Sequence, residues 1–294
     1  MTIASGPPLI FDPVRRAARL HRSAGRFVDA DFLHARAAEN AVNSLEAIMR
    51  EFPAAVDLSA RPRPFAAQLA ASDAAGRVGA LTAVSEGAEA PGSGPLAVAD
   101  GSADLVVSLM TLHWSNDLPG ALSQIRRALR PDGLFLGTLL GAATLKELRA
   151  VLTEAELLER GGAQARVSPF ADGFDGAALL QRAGFALPVS DVDRVTVRYA
   201  DLFALVRDLR AMGETNQLAG AIRPLTRGIA ARAAALYAER YGDADGRIPA
   251  TFEIVNLAGW APHESQQKPL PRGSAKVRLA QALGVVEHTD LDGV

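Results

Sequence analysis

Two places in the chain set a tryptophan near a histidine. His113-Trp114 is followed by Asn116 and Asp117, and Trp260 is followed by His263 and Glu264. An imidazole donates, accepts or transfers a proton near neutral pH. An indole offers a flat apolar wall to an adenine ring or a guanidinium group. Asp117 has two readings: a catalytic carboxylate beside His113, or the N-cap of the helix that follows, because a cap needs the same residue type. Asp57 ends an apolar run and precedes Ser59-Ala60-Arg61-Pro62-Arg63-Pro64. It would either contact a cofactor or cap the turn into the next helix. Glu264–Gln267 is a polar run suited to substrate contact, and Arg272 and Lys276 could hold an acidic partner segment.

Other chemistries are excluded or unsupported. The chain has no cysteine, which removes disulfides, thiolate metal ligands and a Cys nucleophile. The histidines at 21, 34, 113, 263 and 288 form no His-x-x-x-His pair and one isolated His-x-Asp string, His288-Thr289-Asp290, too few ligands for a metal site to be expected. No P-loop or Ser-His-Asp pattern is readable. A formal net charge of −2 gives no reason to expect nucleic acid as a partner. No apolar stretch is long enough to span a bilayer, and the first residues lack the pattern of a signal peptide. The expected location is the cytoplasm, with a peripheral position at the inner membrane as the alternative. Arg15, Arg16, Arg19, Arg22 and Arg26 crowd one short segment. They form either a solvated helix face or a surface for an acidic partner or membrane.

The elements that must position these residues alternate. Apolar periodicity predicts helices over 12–23, 31–51, 64–71, 118–129, 145–159, 177–182, 201–212 and 229–241. Short apolar runs predict strands over 54–58, 78–84, 104–110, 134–139 and 251–259, with one strand or two within 186–199. Arg130-Pro131-Asp132-Gly133 reads as a turn. This order argues for an α/β fold of Rossmann-like type, a mostly parallel sheet with helices on both faces. The stretch from Asp57 to Asp104 is short, and one sheet element is expected to be missing there. The expected organisation is N-terminal helices over 1–52, an α/β core over 53–200 and 246–265, a helical insertion over 201–245, and a tail over 266–294. Ligands of such sheets lie at the carboxyl ends of the strands, where strand order reverses.

Longer strings are more specific. "DGSADLVVSLMTLHWSNDLPGALSQIRRALRPDGLFLGTLLG" (100–141) resembles the later half of a class I S-adenosylmethionine (SAM) methyltransferase domain. "TLKELR" (144–149), "RVSPF" (166–170), "DLRAMGETN" (208–216) and "GRIPATFEIVNLAGWAPHESQQKP" with "RGSAK" (246–276) resemble the respiratory complex I assembly factor 5 family and its bacterial relatives. A more distant resemblance is to the biotin-pathway malonyl-carrier-protein methyltransferase. The first family is methyltransferase-like, and its mitochondrial member hydroxylates an arginine of a complex I subunit.

The resemblance implies SAM as cofactor, held by Asp57, Ser59, Glu86, Leu112 and His113. It implies His113 and Asp117 as catalytic groups, and Trp114, Asn116, Trp260, His263 and Glu264 as substrate contacts. The implied function is modification of a protein substrate, an arginine among the candidates, during complex I assembly. Two alternatives stand beside it: a non-catalytic assembly module with a degenerate SAM site, and a methyltransferase for a small-molecule or carrier-protein carboxyl group. The departures from the family pattern are concentrated in one loop. Ser59, Arg61 and Arg63 stand at the glycine positions, and Pro62 and Pro64 remove two N–H donors and favour extended Arg61 and Arg63. The acidic residue for the ribose hydroxyls has no match at Val84-Ser85, with Glu86 just beyond.

Overall fold

In strand β3 (Ala103–Leu109) every residue but Asp104 is buried. Leu105, Val107 and Leu109 enter one apolar cluster and Val106 the other. Such a run suits a strand covered on both faces, and the rest of the molecule is arranged accordingly. A computed structural model describes residues 9–84, 94–170 and 175–267, with 277, 281 and 284 beyond them. The chain divides into two units, Met1–Pro262 and His263–Val294.

In the first unit, α1 (Pro13–Ser23) and α2 (Phe32–Glu46) precede β1 (Phe52–Asp57), α3 (Arg63–Ala70) and β2 (Val78–Ala83). After β3 come α4 (Leu118–Ala128), β4 (Leu129–Leu140), α5 (Lys146–Arg160), α6 (Gly176–Arg182) and β5 (Ala186–Tyr199). Helices α7 (Leu202–Met212) and α8 (Arg227–Tyr241) precede the last strand, β6 (Ile248–Trp260). Among the described residues the six strands form one sheet in the order β2-β1-β3-β4-β6-β5. The β1/β2, β1/β3 and β3/β4 ladders are parallel, whereas β6 runs antiparallel to both β4 and β5. The fold is thus the expected mostly parallel α/β sheet. One face is covered by α2, α5, α7 and α8, the other by α4 and α6.

Local chemistry sets most boundaries. Asp12, Asp117, Asp201 and Thr226 each accept a hydrogen bond from the amide three residues on, capping α1, α4, α7 and α8. Helix α2 stops at Glu46, short of the expected residue 51. The Arg77 guanidinium covers the Leu45 and Glu46 carbonyls, and the chain must turn into β1. Arg63, expected to be extended before Pro64, instead opens α3. The Arg130–Gly133 turn is a bulge inside β4 and not a gap before it. Leu129 pairs with Ala103 and Leu134 with Leu105. Asp132 takes φ +63°, and its N–H bonds to Ala261. Residues 186–199 form a single edge strand, with Asp191, Asp193, Arg194 and Arg198 along it, a composition that discourages edge-to-edge pairing.

Candidate functional site

Strand order reverses between β1 and β3, so the carboxyl ends of these two strands define the expected ligand position. At the β1 exit the Asp57 carboxylate is fully buried. One oxygen accepts the Ser59 N–H at 2.8 Å, and the other has no partner among the described residues. Burial pushes its pKa up to about 6 against the opposing pull of the Ser59 bonds. The next backbone amides are also engaged. Leu58 N–H bonds to the Val107 carbonyl at 2.8 Å, and Ala60 N–H bonds to the Thr111 hydroxyl at 2.9 Å. The Ser59 hydroxyl accepts the Leu109 N–H at 2.8 Å. Three successive N–H groups that could face a ligand are therefore tied to their own strand end and to β3.

Arg61 turns away from the sheet. Its guanidinium donates to the Leu20 carbonyl at 2.8 Å and the Ser23 hydroxyl at 2.6 Å, and lies 4.8 Å from the Phe27 ring centroid. Burial and the nearby Arg16 lower its pKa. Arg63 is exposed. A glycine-rich cradle works by presenting free backbone N–H groups to the cofactor. The residues of this loop do not fit a SAM group bound in that way. Glu86 lies outside the described residues, as do Arg272 and Lys276.

At the β3 exit the chain passes through Met110, with φ +51°, into a short 3-10 turn, Leu112–Trp114. Leu112, His113 and Trp114 are all buried. The centre of this region is Glu214, a residue to which the sequence reading gives no role. Gly213, with φ +83°, ends α7, and the Glu214 N–H bonds back to the Leu209 carbonyl, which aims the side chain inward. One Glu214 oxygen accepts from Trp114 Nε1 at 2.7 Å and His113 Nε2 at 3.2 Å. The other meets Arg16 Nη1 at 3.1 Å. An ionised carboxylate only accepts, so His113 carries its proton on Nε2. Phe11 and Phe170 pack edge-on against Trp114 at 5.2 and 5.6 Å, and the Arg16 guanidinium lies 5.1 Å from the same ring.

The electrostatics follow from this geometry. Burial alone would raise the Glu214 pKa, but Arg16 and the His113 bond more than offset it and hold the group well below the usual carboxylate range. Burial lowers His113 despite its bond to Glu214. Buried His34, on α2, is lowered to about 4, chiefly by desolvation. The Nδ1 atoms of His34 and His113 have no partner among the described residues. The cluster thus fixes a charge pair, Arg16–Glu214, beside imidazoles that burial biases toward the neutral form.

The remaining expected site residues are divided. Asp117 caps α4 through Gly120 N–H at 2.9 Å. Asn116 accepts the Ile10 and Phe11 N–H groups, both at 2.8 Å, and donates to the Phe11 carbonyl at 3.0 Å. It holds the segment entering α1. Trp260 pairs with Leu134 at the start of β4's regular ladder, whereas Leu109, before the His113-Trp114 turn, pairs with Thr138 near its end. The two tryptophans therefore lie at opposite ends of the sheet, because β6 runs antiparallel. Trp260 instead lies against Arg50, at 5.9 Å. His263 and Glu264 belong to the second unit, in which His263 Nδ1 lies 2.7 Å from the Ser265 hydroxyl. Within the first unit, Trp260 is thus not brought to Trp114. Glu214 could have drawn attention through the quoted string "DLRAMGETN", but Arg16 and His34 carry no signal that separates them from ordinary helix residues.

Comparison with known proteins agrees with the quoted strings. The methyltransferase domain family matches residues 44–137, from α2 into β4. A Danio rerio protein named arginine-hydroxylase NDUFAF5, mitochondrial, is 47% identical over 177 residues, covering 60% of this chain and 55% of that protein. The Homo sapiens protein of the same name is 45% identical over 185 residues, covering 63% and 53%. A malonyl-[acyl-carrier protein] O-methyltransferase of Xylella fastidiosa (strain M23) is 41% identical over 168 residues, covering 57% and 55%. The chain spans little more than half the length of these curated relatives. It carries a methyltransferase-type domain on an α/β sheet and is similar to both groups of proteins.

Proposed function

We propose that this methyltransferase-fold protein serves respiratory complex I assembly by binding a protein partner, and that its β1 loop no longer cradles SAM. The observation that carries this reading is the internal bonding of the Leu58, Ser59 and Ala60 N–H groups, with Arg61 turned onto Phe27. The name of the Danio rerio and Homo sapiens relatives, arginine-hydroxylase, brings a protein arginine into the reading as the group such a partner would present. His113 and Trp114 would then act as walls of a binding region held by Glu214.

A second reading is SAM-dependent modification of a protein or carboxyl substrate. The match of the methyltransferase domain family across β1–β4 and the unpartnered Asp57 oxygen favour it. In that reading Asp57, Ser59, Leu112 and His113 would line the cofactor site, with Asp117 or His113 as base. Titration calorimetry of the folded protein with SAM and S-adenosylhomocysteine separates the two. The expected result is no saturable heat at millimolar ligand. Stoichiometric binding at one site would replace the first reading with the second.

A further inference from the structure

A cleft of about 580 Å³ opens among α1, α5, α7 and the segments 166–168 and 222–225, with Trp114 and Glu214 in its wall. Six arginines line it, against one carboxylate. That carboxylate, Glu214, is already matched by Arg16. Of these arginines, among the described residues, only Arg166 has an acidic partner, Glu156. Arg19 bonds to the neutral Thr215 hydroxyl and Arg22 to the Ala18 carbonyl. Arg26, Arg210 and Arg223 have no ion pair among the described residues. Burial, followed by repulsion from Arg15 and Arg22, lowers the Arg19 pKa to about 10 against the opposing pull of Asp12.

The floor is apolar. Leu148, Leu152 and Leu209 face the cleft, and Leu225 stands at it with 44% of its surface exposed. Ser168, only 3% exposed, is among the residues around the cleft, and its buried hydroxyl has no partner among the described residues. An unsatisfied buried hydroxyl costs free energy unless something bonds to it. The cavity falls within the usual size of a ligand site, roughly 300–1,000 Å³.

We propose that this cleft binds an acidic peptide segment of a partner protein, its Asp and Glu side chains on the arginines and its apolar side chains on the leucine floor. The guanidinium groups come from separate places in the chain: α1, the 24–29 turn, Arg166, α7 and Arg223. A compact anion such as phosphate engages a few donors at one point, whereas carboxylates spaced along a peptide engage several forks at once. A peptide seated deeply enough to reach the buried Ser168 hydroxyl would supply the partner that it lacks. The inference rests on the assembly reading only in taking the partner to be a protein, and the SAM titration and the peptide titration can fail separately.

The test is fluorescence anisotropy of the full chain with a labelled Glu/Leu peptide. Comparators are a Gln/Leu peptide of equal length, inorganic phosphate, and vesicles containing phosphatidylserine. The expected result is saturable binding of the Glu/Leu peptide alone, weakening as salt rises. Arg22→Glu combined with Arg210→Glu, two exposed positions, should lower affinity by about tenfold or more. Ser168→Ala should lower it by roughly threefold to tenfold. Circular dichroism and urea midpoints establish that the variants are folded. Equal binding of the Gln/Leu peptide, undiminished binding by the folded double variant, or binding of vesicles or phosphate in place of the peptide would overturn the proposal.

Discussion

Asp57 and Glu214 are both buried carboxylates near the carboxyl ends of the central strands, and their surroundings drive them in opposite directions. Glu214 meets a guanidinium, an indole N–H and an imidazole N–H, and is held ionised. Asp57 has the N–H of Ser59 and one oxygen without a partner among the described residues, and its pKa rises to about 6. Depth of burial does not separate them. A cationic partner does, because burial penalises the charged form and only a nearby opposite charge offsets that penalty. Asp57, at the end of β1, has no charge partner among the described residues. In Glu214 an equally buried carboxylate ties α1, the β3 exit and the end of α7 together.

The largest effect should come from breaking the partnered charge. Glu214→Ala leaves Arg16, 1% exposed, without its counter-ion. The expected cost is about 3–5 kcal/mol in urea unfolding. Adding Arg16→Met should recover most of it, because the uncompensated charge and not the missing contact dominates. A small cost for Glu214→Ala alone, near that of an exposed ion pair, would remove the distinction drawn between the two carboxylates.

A smaller effect, with a definite pH signature, belongs to His34. Its pKa is about 4 in the folded protein against 6.5 when unfolded. As pH falls the unfolded chain takes up the proton first. The contribution is therefore full above pH 6.5 and lost between pH 6.5 and 4, amounting to ~3 kcal/mol at most. His34→Leu, beside Phe27, should flatten the loss of stability over that window. A slope unchanged by the substitution would assign the acid sensitivity to other groups.

Asp57 should act in the opposite sense and more weakly. Its unfolded pKa of 3.8 lies below the folded value of about 6. The folded state keeps its proton longer, so the burial penalty is absent below pH 3.8, grows between 3.8 and 6, and is complete above 6. Asp57→Asn keeps an acceptor for the Ser59 N–H and removes the charge. It should stabilise the protein by ~1–2 kcal/mol at pH 8, less than the full shift because the amide must satisfy its own donors. The gain should shrink as pH falls toward 4. Destabilisation at pH 8 would mean that the ionised Asp57 has a partner of its own.

Much of the scaffold was legible in the chain. The helices expected over 12–23 and 201–212 are present as α1 and α7, and the apolar run 104–110 as β3, since both signals depend on neighbours within a few residues. Asp117 had two local readings, and its cap to Gly120 is the one visible in its bonding. The Arg-Pro-Arg-Pro string places two arginines in the loop after β1, but does not say where their side chains go. Arg61 finds Phe27 and Ser23, and the Leu109 N–H finds Ser59 across 50 residues of sequence. Trp260 and Trp114 looked like companions because each follows a strand near a histidine. Strand direction is not written in a local pattern, and the antiparallel β6 sends them to opposite ends of the sheet.

What the sequence determined by itself, then, was the alternation of elements and the layered α/β sheet. These follow from periodicity and capping preference, both short-range properties. What only the tertiary structure decided was the polar centre. Arg16 and Glu214 stand 198 residues apart, His113 and Glu214 101. None of the three is unusual in its own segment. Their pairing exists because α1, the β3 exit and the α7 terminus are brought together, and a buried charge must find its partner wherever the fold places one.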